Sequence, residues 1–357
     1  MFVKYGRRAM IPDAPPSPRR HRRVALPTFA ALVVAGTGLL AACGGDDGET
    51  LRVYSGRHYD IELAFTQFSE ETGIGVEFLT GDDAELRERI AAEGEDTEAD
   101  VYLTVDAGNL AAAAEDGLFQ PLDSPVLDEA IPAEYRDPED RWFGLALRTR
   151  TIVYNPEVLA EDQVPGTYEE LADPEWDGRV CMRNANNSYQ QSLVASMIAA
   201  DGEAETLEVL EGWAANAEIY GNDIELLEAM AAGACDVGIS NHYYLAQELE
   251  DDPDFPVRLK WAEQDTRGVH VNISGGGVTR YADNPDLAQQ FLEWLATDGQ
   301  GILVNTNHEY PANPTVAPDA LIVEAFGTDF VRDPVNAAEF GLLNPDAVRL
   351  MDEAGFG

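Results

Sequence analysis

From residue 51 onward the chain alternates short strand-like runs with helical stretches of about ten residues. This alternation restricts the fold more than any other feature, because it predicts a largely parallel α/β sheet flanked by helices. Residues 51–55, LRVYS, read as a first strand. Residues 61–71 read as a helix with Leu63, Ala64, Phe65 and Phe68 as its apolar set and Asp60 as N-cap. A strand at 75–79, a helix at 84–93 (Leu86, Ile90 and Ala91 inward), a strand at 100–104 and a helix at 107–116 closed by Gly117 continue the pattern. It changes at 142–154, WFGLALRTRTIVY, an extended run long enough to pass between two lobes. A second set of units follows: a strand at 178–182, helices at 191–200, 203–217 and 223–232, and a strand at 235–239. Residues 268–278 read as extended and cross back, with Gly275-Gly276-Gly277 as a tight turn or part of that crossover, and 287–296 is helical.

The first 50 residues belong to a different object. Arg19, Arg20, Arg22 and Arg23 precede an apolar stretch at 24–42, which ends Leu40-Ala41-Ala42-Cys43. A basic cluster, an apolar run and small residues leading into a cleavage point form an export signal. The cysteine at that point resembles a bacterial lipoprotein box, so residues 1–42 read as a signal peptide, Cys43 as the lipidated first residue and 43–50 as a tether. An uncleaved anchor is the alternative, but the run barely reaches the roughly 20 residues that span a bilayer. This places the remainder outside the cytoplasm and attached to a membrane only through its lipid. Residues 51–357 exceed one small core and suit two lobes.

Charge narrows the class. The chain has 23 basic and 66 acidic residues; seven basic and one acidic precede Cys43, leaving 16 and 65, with Lys260 the only lysine. Such a part cannot neutralise phosphates, which excludes nucleic acid as a partner. The acids are spread along the chain, as on a generally acidic, monomeric, salt-tolerant exterior. With Cys43 assigned to lipidation, Cys181 and Cys235 remain, an even number in an oxidising compartment and compatible with a disulfide.

The motifs of nucleophilic hydrolases, Walker-type nucleotide sites, dinucleotide folds and zinc proteases are missing. Tyrosine beside histidine occurs twice instead: Arg57-His58-Tyr59-Asp60 after the first strand, and Asn241-His242-Tyr243-Tyr244 after the 235–239 strand. Tyr189 lies in a third polar stretch, NANNSY, also after a strand. Strand carboxyl ends are where open α/β sheets bind ligands. Phenols have pKa values of about 10 and are mostly protonated at neutral pH, yet a bound cation forces deprotonation. Phenols with an imidazole nearby would suit a hard cation, and soft sulfur ligands are absent from these loops.

The segments LRVYSGRHYD, GDDAELRERI, WFGLALRTRTIVYN, CMRNANNSYQQSL, AAGACDVGISNHYYL and NHEYPANP, in this order behind a lipoprotein leader, resemble the ferric iron-binding proteins of bacterial ABC transporters. They are most similar to the tyrosine-rich branch that binds Fe(III) without requiring carbonate. The resemblance implies a type II periplasmic-binding-protein clamshell, each lobe a mixed, mostly parallel sheet flanked by helices. It implies an N-terminal lobe of 51–152 plus about 270–310, and a C-terminal lobe of 153–269 plus about 311–357. It places the iron ligands on His58, Tyr59, Tyr189, Tyr243 and Tyr244, and Arg148 and Arg150 close behind them; His242 falls where the family pattern varies. Cys181 and Cys235 resemble a disulfide pair of the same branch. The implied role is to carry Fe(III) to an ABC permease and its ATPase, without catalysis. Another solute on the same scaffold (an organic anion, phosphate or a polyamine) and an exported metalloenzyme are the competing readings.

Overall fold

In the computed structural model, residues 49–57 and 61–357 are described. The leader, Cys43, most of the tether, His58, Tyr59 and the expected cap Asp60 fall outside them. The strands are β1 (Thr50–Ser55), β2 (Gly75–Thr80), β3 (Val101–Thr104), β4 (Phe143–Tyr154), β5 (Val180–Arg183), β6 (Ala217–Tyr220), β7 (Val237–Asn241), β8 (Arg258–Lys260), β9 (Val271–Val278) and β10 (Tyr310–Pro311). The helices of the first half are α1 (Ile61–Thr72), α2 (Asp83–Glu93), α3 (Ala107–Glu115) and α4 (Pro125–Ala130). Then come α5 (Ser188–Asp201), α6 (Glu203–Asn216), α7 (Asp223–Ala231) and α8 (His242–Asp251). The last are α9 (Pro285–Ala296), α10 (Gln300–Asn305), α11 (Ala320–Phe326), α12 (Ala338–Leu342) and α13 (Asn344–Glu353).

The sheet runs β2-β1-β3-β9-β4-β7-β5-β6, with β8 and β10 also paired to β4. β1 lies parallel to β2 and β3, and β5 lies parallel to β6 and β7. The long strands β4 and β9 run antiparallel between these two parallel groups. β4 is buried along its whole length, and its partners change part-way. Phe143–Thr149 pairs with β9, whereas Arg150–Tyr154 pairs with β7. One strand is thus shared by both halves, and the change falls between Thr149 and Arg150.

Most elements form where periodicity predicts, and the departures have physical reasons. On α1 the buried residues are Ile61, Ala64, Phe65 and Phe68. Leu63 is 58% exposed, because the core is met by residues three and four apart. Ala91 of α2 is likewise exposed. The Gly275–Gly277 run, expected as a tight turn or part of the crossover, is the second: it lies in the crossing strand β9, near its end. A Cβ on Gly275 would stand 2.4 Å from the carbonyl oxygen of Phe143, and one on Gly277 2.5 Å from that of Arg141. Close approach of the neighbouring backbone, not chain reversal, demands these glycines. β6 is not expected from the sequence: only its first residue, Ala217, falls in the expected helix 203–217, and a strand of four residues carries too little period to register.

Cys181 and Cys235 are joined by a disulfide with Cα atoms 5.8 Å apart. It links β5 to the segment entering its parallel neighbour β7, where Cys181 is paired with Gly238. Both sulfurs are buried against Leu226, Leu227, Met230 and Val257. The closed loop spans a sequence separation of 54, for which loop-closure entropy gives about 4 kcal/mol. The Cys181→Ser, Cys235→Ser protein should therefore lose about 2–4 kcal/mol of unfolding free energy in a denaturant titration, and an unchanged midpoint would show that the bridge adds nothing.

Candidate metal centre

The three tyrosines described at this site stand on helix N-termini rather than in the loops expected from sequence. Asn187 caps α5, its side-chain oxygen accepting from the amides of Tyr189 (3.1 Å) and Gln190 (3.2 Å). Tyr189 is therefore in the first turn. Asn241 ends β7 and is the N-cap position of α8, so Tyr243 and Tyr244 are also first-turn residues. The polar stretches looked like loops because capping Asn and Ser residues lack apolar period. The consequence is electrostatic, since a helix N-terminus favours negative charge beside it. A phenolate is better supported there than in a loop.

Two buried carboxylates organise the surrounding arginines. Glu309, next to β10, accepts from Arg57 Nη1 (2.5 Å) through one oxygen and from Arg148 Nε (2.5 Å) through the other. Asp223, opening α7, accepts from Arg150 Nη1 (2.9 Å) and Arg183 Nη1 (2.6 Å). Burial pushes both carboxyls upward, but each paired set of arginines outweighs it and holds the carboxyl below its ordinary value. Each carboxylate thus balances one of two guanidinium charges and leaves one positive charge over.

That surplus is directed at the phenols. Arg148 donates from Nη1 to the Tyr189 hydroxyl at 3.0 Å, and its guanidinium lies 4.9 Å from the Tyr243 ring centre and 5.5 Å from that of Tyr189. Burial lowers the affinity of Arg148 for its proton, but Glu309 and then Tyr243, Tyr189 and Tyr244 raise it further. Asn241 Nδ2 donates to the Tyr243 hydroxyl at 3.0 Å while its Oδ1 accepts from Arg150 at 3.2 Å. The rings of Tyr243 and Tyr244 are 4.4 Å apart.

Tyr189, Tyr244 and Arg183 line one wall of a polar cleft of about 830 Å³, whose other wall includes Gly56, Asp83 and Val105. Gly56 and Arg57 directly precede His58 and Tyr59 in the chain. Among the described residues no group of three His, Cys, Asp or Glu side chains is placed to share a metal ion. His242 has another task. Its Nδ1 meets Thr149 Oγ1 at 2.8 Å and its Nε2 meets the His308 carbonyl at 3.1 Å, which makes Nε2 the protonated nitrogen. Burial lowers its pKa to about 4, so the ring is neutral and structural.

Arg148 and Arg150, expected behind the ligands, are both buried; Arg148 lies against Tyr189 and Tyr243, and Arg150 against Gln190, Asp223 and Asn241. Sequence reading missed Glu309, Asp223, Arg57 and Arg183. Glu309 stood inside the NHEYPANP segment, but a buried carboxylate has no periodic signature, and its partners lie 252 and 161 positions away. Glu309→Gln removes the charge shared by two buried arginines and should cost about 3–5 kcal/mol of unfolding free energy at neutral pH. Because the folded pKa is lowered, the parent's advantage is present above the unfolded value of about 4.3 and disappears only as pH falls through the lower folded value. Denaturation midpoints of parent and variant that already coincide at pH 7 would contradict this.

Residues 96–327 match the family described as bacterial extracellular solute-binding proteins. Iron uptake protein A1 of Synechocystis is 40% identical over 348 residues, covering 92% of this chain and 96% of that protein. The Fe(3+)-binding periplasmic protein of Serratia marcescens is 32% identical, covering 88% and 92%. The structure of Trichodesmium IdiA (FutA) in complex with iron and citrate ligands superposes with a TM-score of 0.82 at 38% identity, covering 86% of this chain and all of that one.

Proposed function

The chain belongs to the bacterial extracellular solute-binding protein family, as a ferric iron-binding member with the type II clamshell fold, and on that premise we propose that His58, Tyr59, Tyr189, Tyr243 and Tyr244 hold the iron. One observation supports this most: three phenols gather at two helix N-termini around a guanidinium whose charge is only half neutralised. Iron is cargo here. Four phenolates and a neutral imidazole around Fe(III) give a site of charge −1, and the surplus positive charge of the two arginine–carboxylate groups offsets it.

The mechanism is capture by closure. We take the first lobe as residues 51–152 with about 270–310, and the second as 153–269 with about 311–357. His58 and Tyr59 then come from one lobe and the three other tyrosines from the other. Iron bound by both favours the closed form through its preferential binding to it. The closed, loaded protein passes its iron to the permease and ATPase of an importer. A monomer tethered through lipid on Cys43 to the outer face of the membrane suits that hand-over, and no reaction is catalysed.

Iron-loaded protein should be coloured by phenolate-to-Fe(III) charge transfer. The Tyr243→Phe, Tyr244→Phe variant should lose most of that absorbance and bind at least about tenfold more weakly, one lost charge-assisted ligand contact already amounting to about 1.5–3 kcal/mol. Parent-like affinity in this variant, measured against a competing chelator, would overturn the ligand assignment.

Acid should release the metal, because every ligand must lose or lack a proton to bind. His58 is affected first, with an unperturbed pKa of about 6.5. Bound iron drives that protonation lower, so release begins well below pH 6.5. His58→Ala should weaken binding and flatten the upper part of the release curve without abolishing binding. If parent and variant retain iron identically across pH, His58 is not a ligand.

A further inference from the structure

Gly56 precedes Arg57-His58-Tyr59, and its backbone does not explain why it is glycine. It is outside the left-handed region that only glycine tolerates well. Its amide donates to Leu103 at 2.9 Å, extending the β1–β3 pairing by one residue. What excludes a side chain is Asp83. An ideal Cβ on Gly56 would lie 1.5 Å from Asp83 Oδ1 and 2.5 Å from its Cγ.

Asp83 is itself fixed. It is 9% exposed and stands at the start of α2, next to the N-cap Asp82. Its Oδ2 accepts from the Val105 amide at 3.2 Å, and its backbone carbonyl accepts from the Tyr102 hydroxyl at 2.6 Å. Its Oδ1 has no hydrogen-bond partner among the described residues. A buried carboxyl with one unmet oxygen is costly; burial raises its pKa to about 7, with Asp106 and Asp82 adding to the rise and the Val105 amide and Arg148 opposing it. Plain filling of this space would be done better by an apolar side chain. The carboxyl does more, since it joins the ends of three first-half strands: β1 through Gly56, β2 through its own loop, and β3 through Val105. The Val105 carbonyl accepts from Arg148 Nη1 at 3.2 Å, the same nitrogen that reaches Tyr189. Beyond Gly56 the chain is held again, by Ser55 Oγ donating to the Arg57 carbonyl at 2.7 Å and by Arg57 on Glu309.

We propose that Asp83 is a positioning residue for iron, the seat on which the glycine at 56 sets the segment that presents His58 and Tyr59. This rests on the reading of His58 and Tyr59 as ligands. Asp83 touches no metal in this scheme; it fixes where the segment leaves β1, in register with the Arg148 that supports the tyrosines across the cleft.

The test is a double-mutant cycle on the full exported protein, read by Fe(III) affinity against a competing chelator and by the position of the charge-transfer band. Gly56→Ala should weaken binding about tenfold or more and displace the band, because the new methyl expels the carboxyl. Asp83→Ala should weaken it less. The double variant should bind like Asp83→Ala alone, since the methyl then has room. Asp83→Asn, which keeps the shape, should retain the parent band and affinity within about threefold. Independent effects at 56 and 83, a Gly56→Ala protein that binds like the parent, or an Asp83→Asn protein as impaired as Gly56→Ala would each overturn the proposal. If Gly56→Ala does not fold, Asp83→Ala decides alone: parent-like affinity and band position overturn the seat, and a displaced band supports it. Tyr243→Phe, Tyr244→Phe and His58→Ala run alongside. Their binding like the parent sinks the ligand assignment, whereas their failing while positions 56 and 83 stay uncoupled sinks only the seat.

Discussion

Four arginines buried or nearly so around two carboxylates are the constraint that everything else at the site serves. Guanidinium cannot shed its proton in a protein, so each must be paired or made useful. Glu309 accepts from Arg57 and Arg148, Asp223 from Arg150 and Arg183. Sharing one carboxylate between two guanidiniums is a poor arrangement for stability alone, because the attraction within buried ion pairs seldom exceeds their desolvation penalty. It makes sense when anions are due to form nearby. Arg148 is the clearest case: one nitrogen on Glu309, another on the Tyr189 hydroxyl, and its plane against the Tyr243 ring.

The strand that carries these charges also joins the halves of the molecule. Alternation puts Arg148 and Arg150 on one face of β4 and Thr149 on the other. Arg148 works with Glu309 beside β10, and Arg150 with Asp223, Gln190 and Asn241 of the second parallel group. Thr149, between them, receives the His242 ring. The change of β4 partners falls at this point, between Thr149 and Arg150. Any relative movement of the halves is therefore applied where the phenol-supporting arginines originate. Fold and site are coupled through three consecutive residues.

Much of this is legible in the order of the amino acids. The alternation over residues 51–116 predicts the first parallel group, and the WFGLALRTRTIVY run predicts the shared strand, because strand-like residues continue from Trp142 to the break at Asn155-Pro156. The tyrosines stand out because phenols in polar, strand-end segments have no packing reason to be paired. What cannot be read has a common cause. Asp223, Glu309 and Asp83 act through partners that are distant in sequence or belong to another strand end, and a single carboxylate among 65 in the exported part carries no mark. The helical setting of Tyr189 and Tyr243 is hidden for a related reason: caps are polar, so the first turn of a helix looks like the end of a loop. Gly275–Gly277 stays ambiguous in the sequence, since a glycine run suits a turn as well as the crossing strand, and only the neighbouring backbone decides for the strand.

The contrast between surface and centre bears on selectivity. The exterior carries acids throughout and attracts cations of every kind, weakly and without distinction. Behind the cleft Asp223 and Glu309 are already committed to arginines, and burial raises the pKa of Asp83, which lines it, to about 7. The proposed donors are phenols, which at neutral pH are neutral until something removes their protons. The arginines and helix N-termini lower the cost of that step without completing it. Under the proposed assignment, a cation polarising enough to finish the deprotonation would gain four anionic ligands, while a weaker one would meet hydroxyl groups beside fixed positive charge. The same positive charge that repels an ordinary cation thus stabilises the complex of one strong enough to make its own ligands.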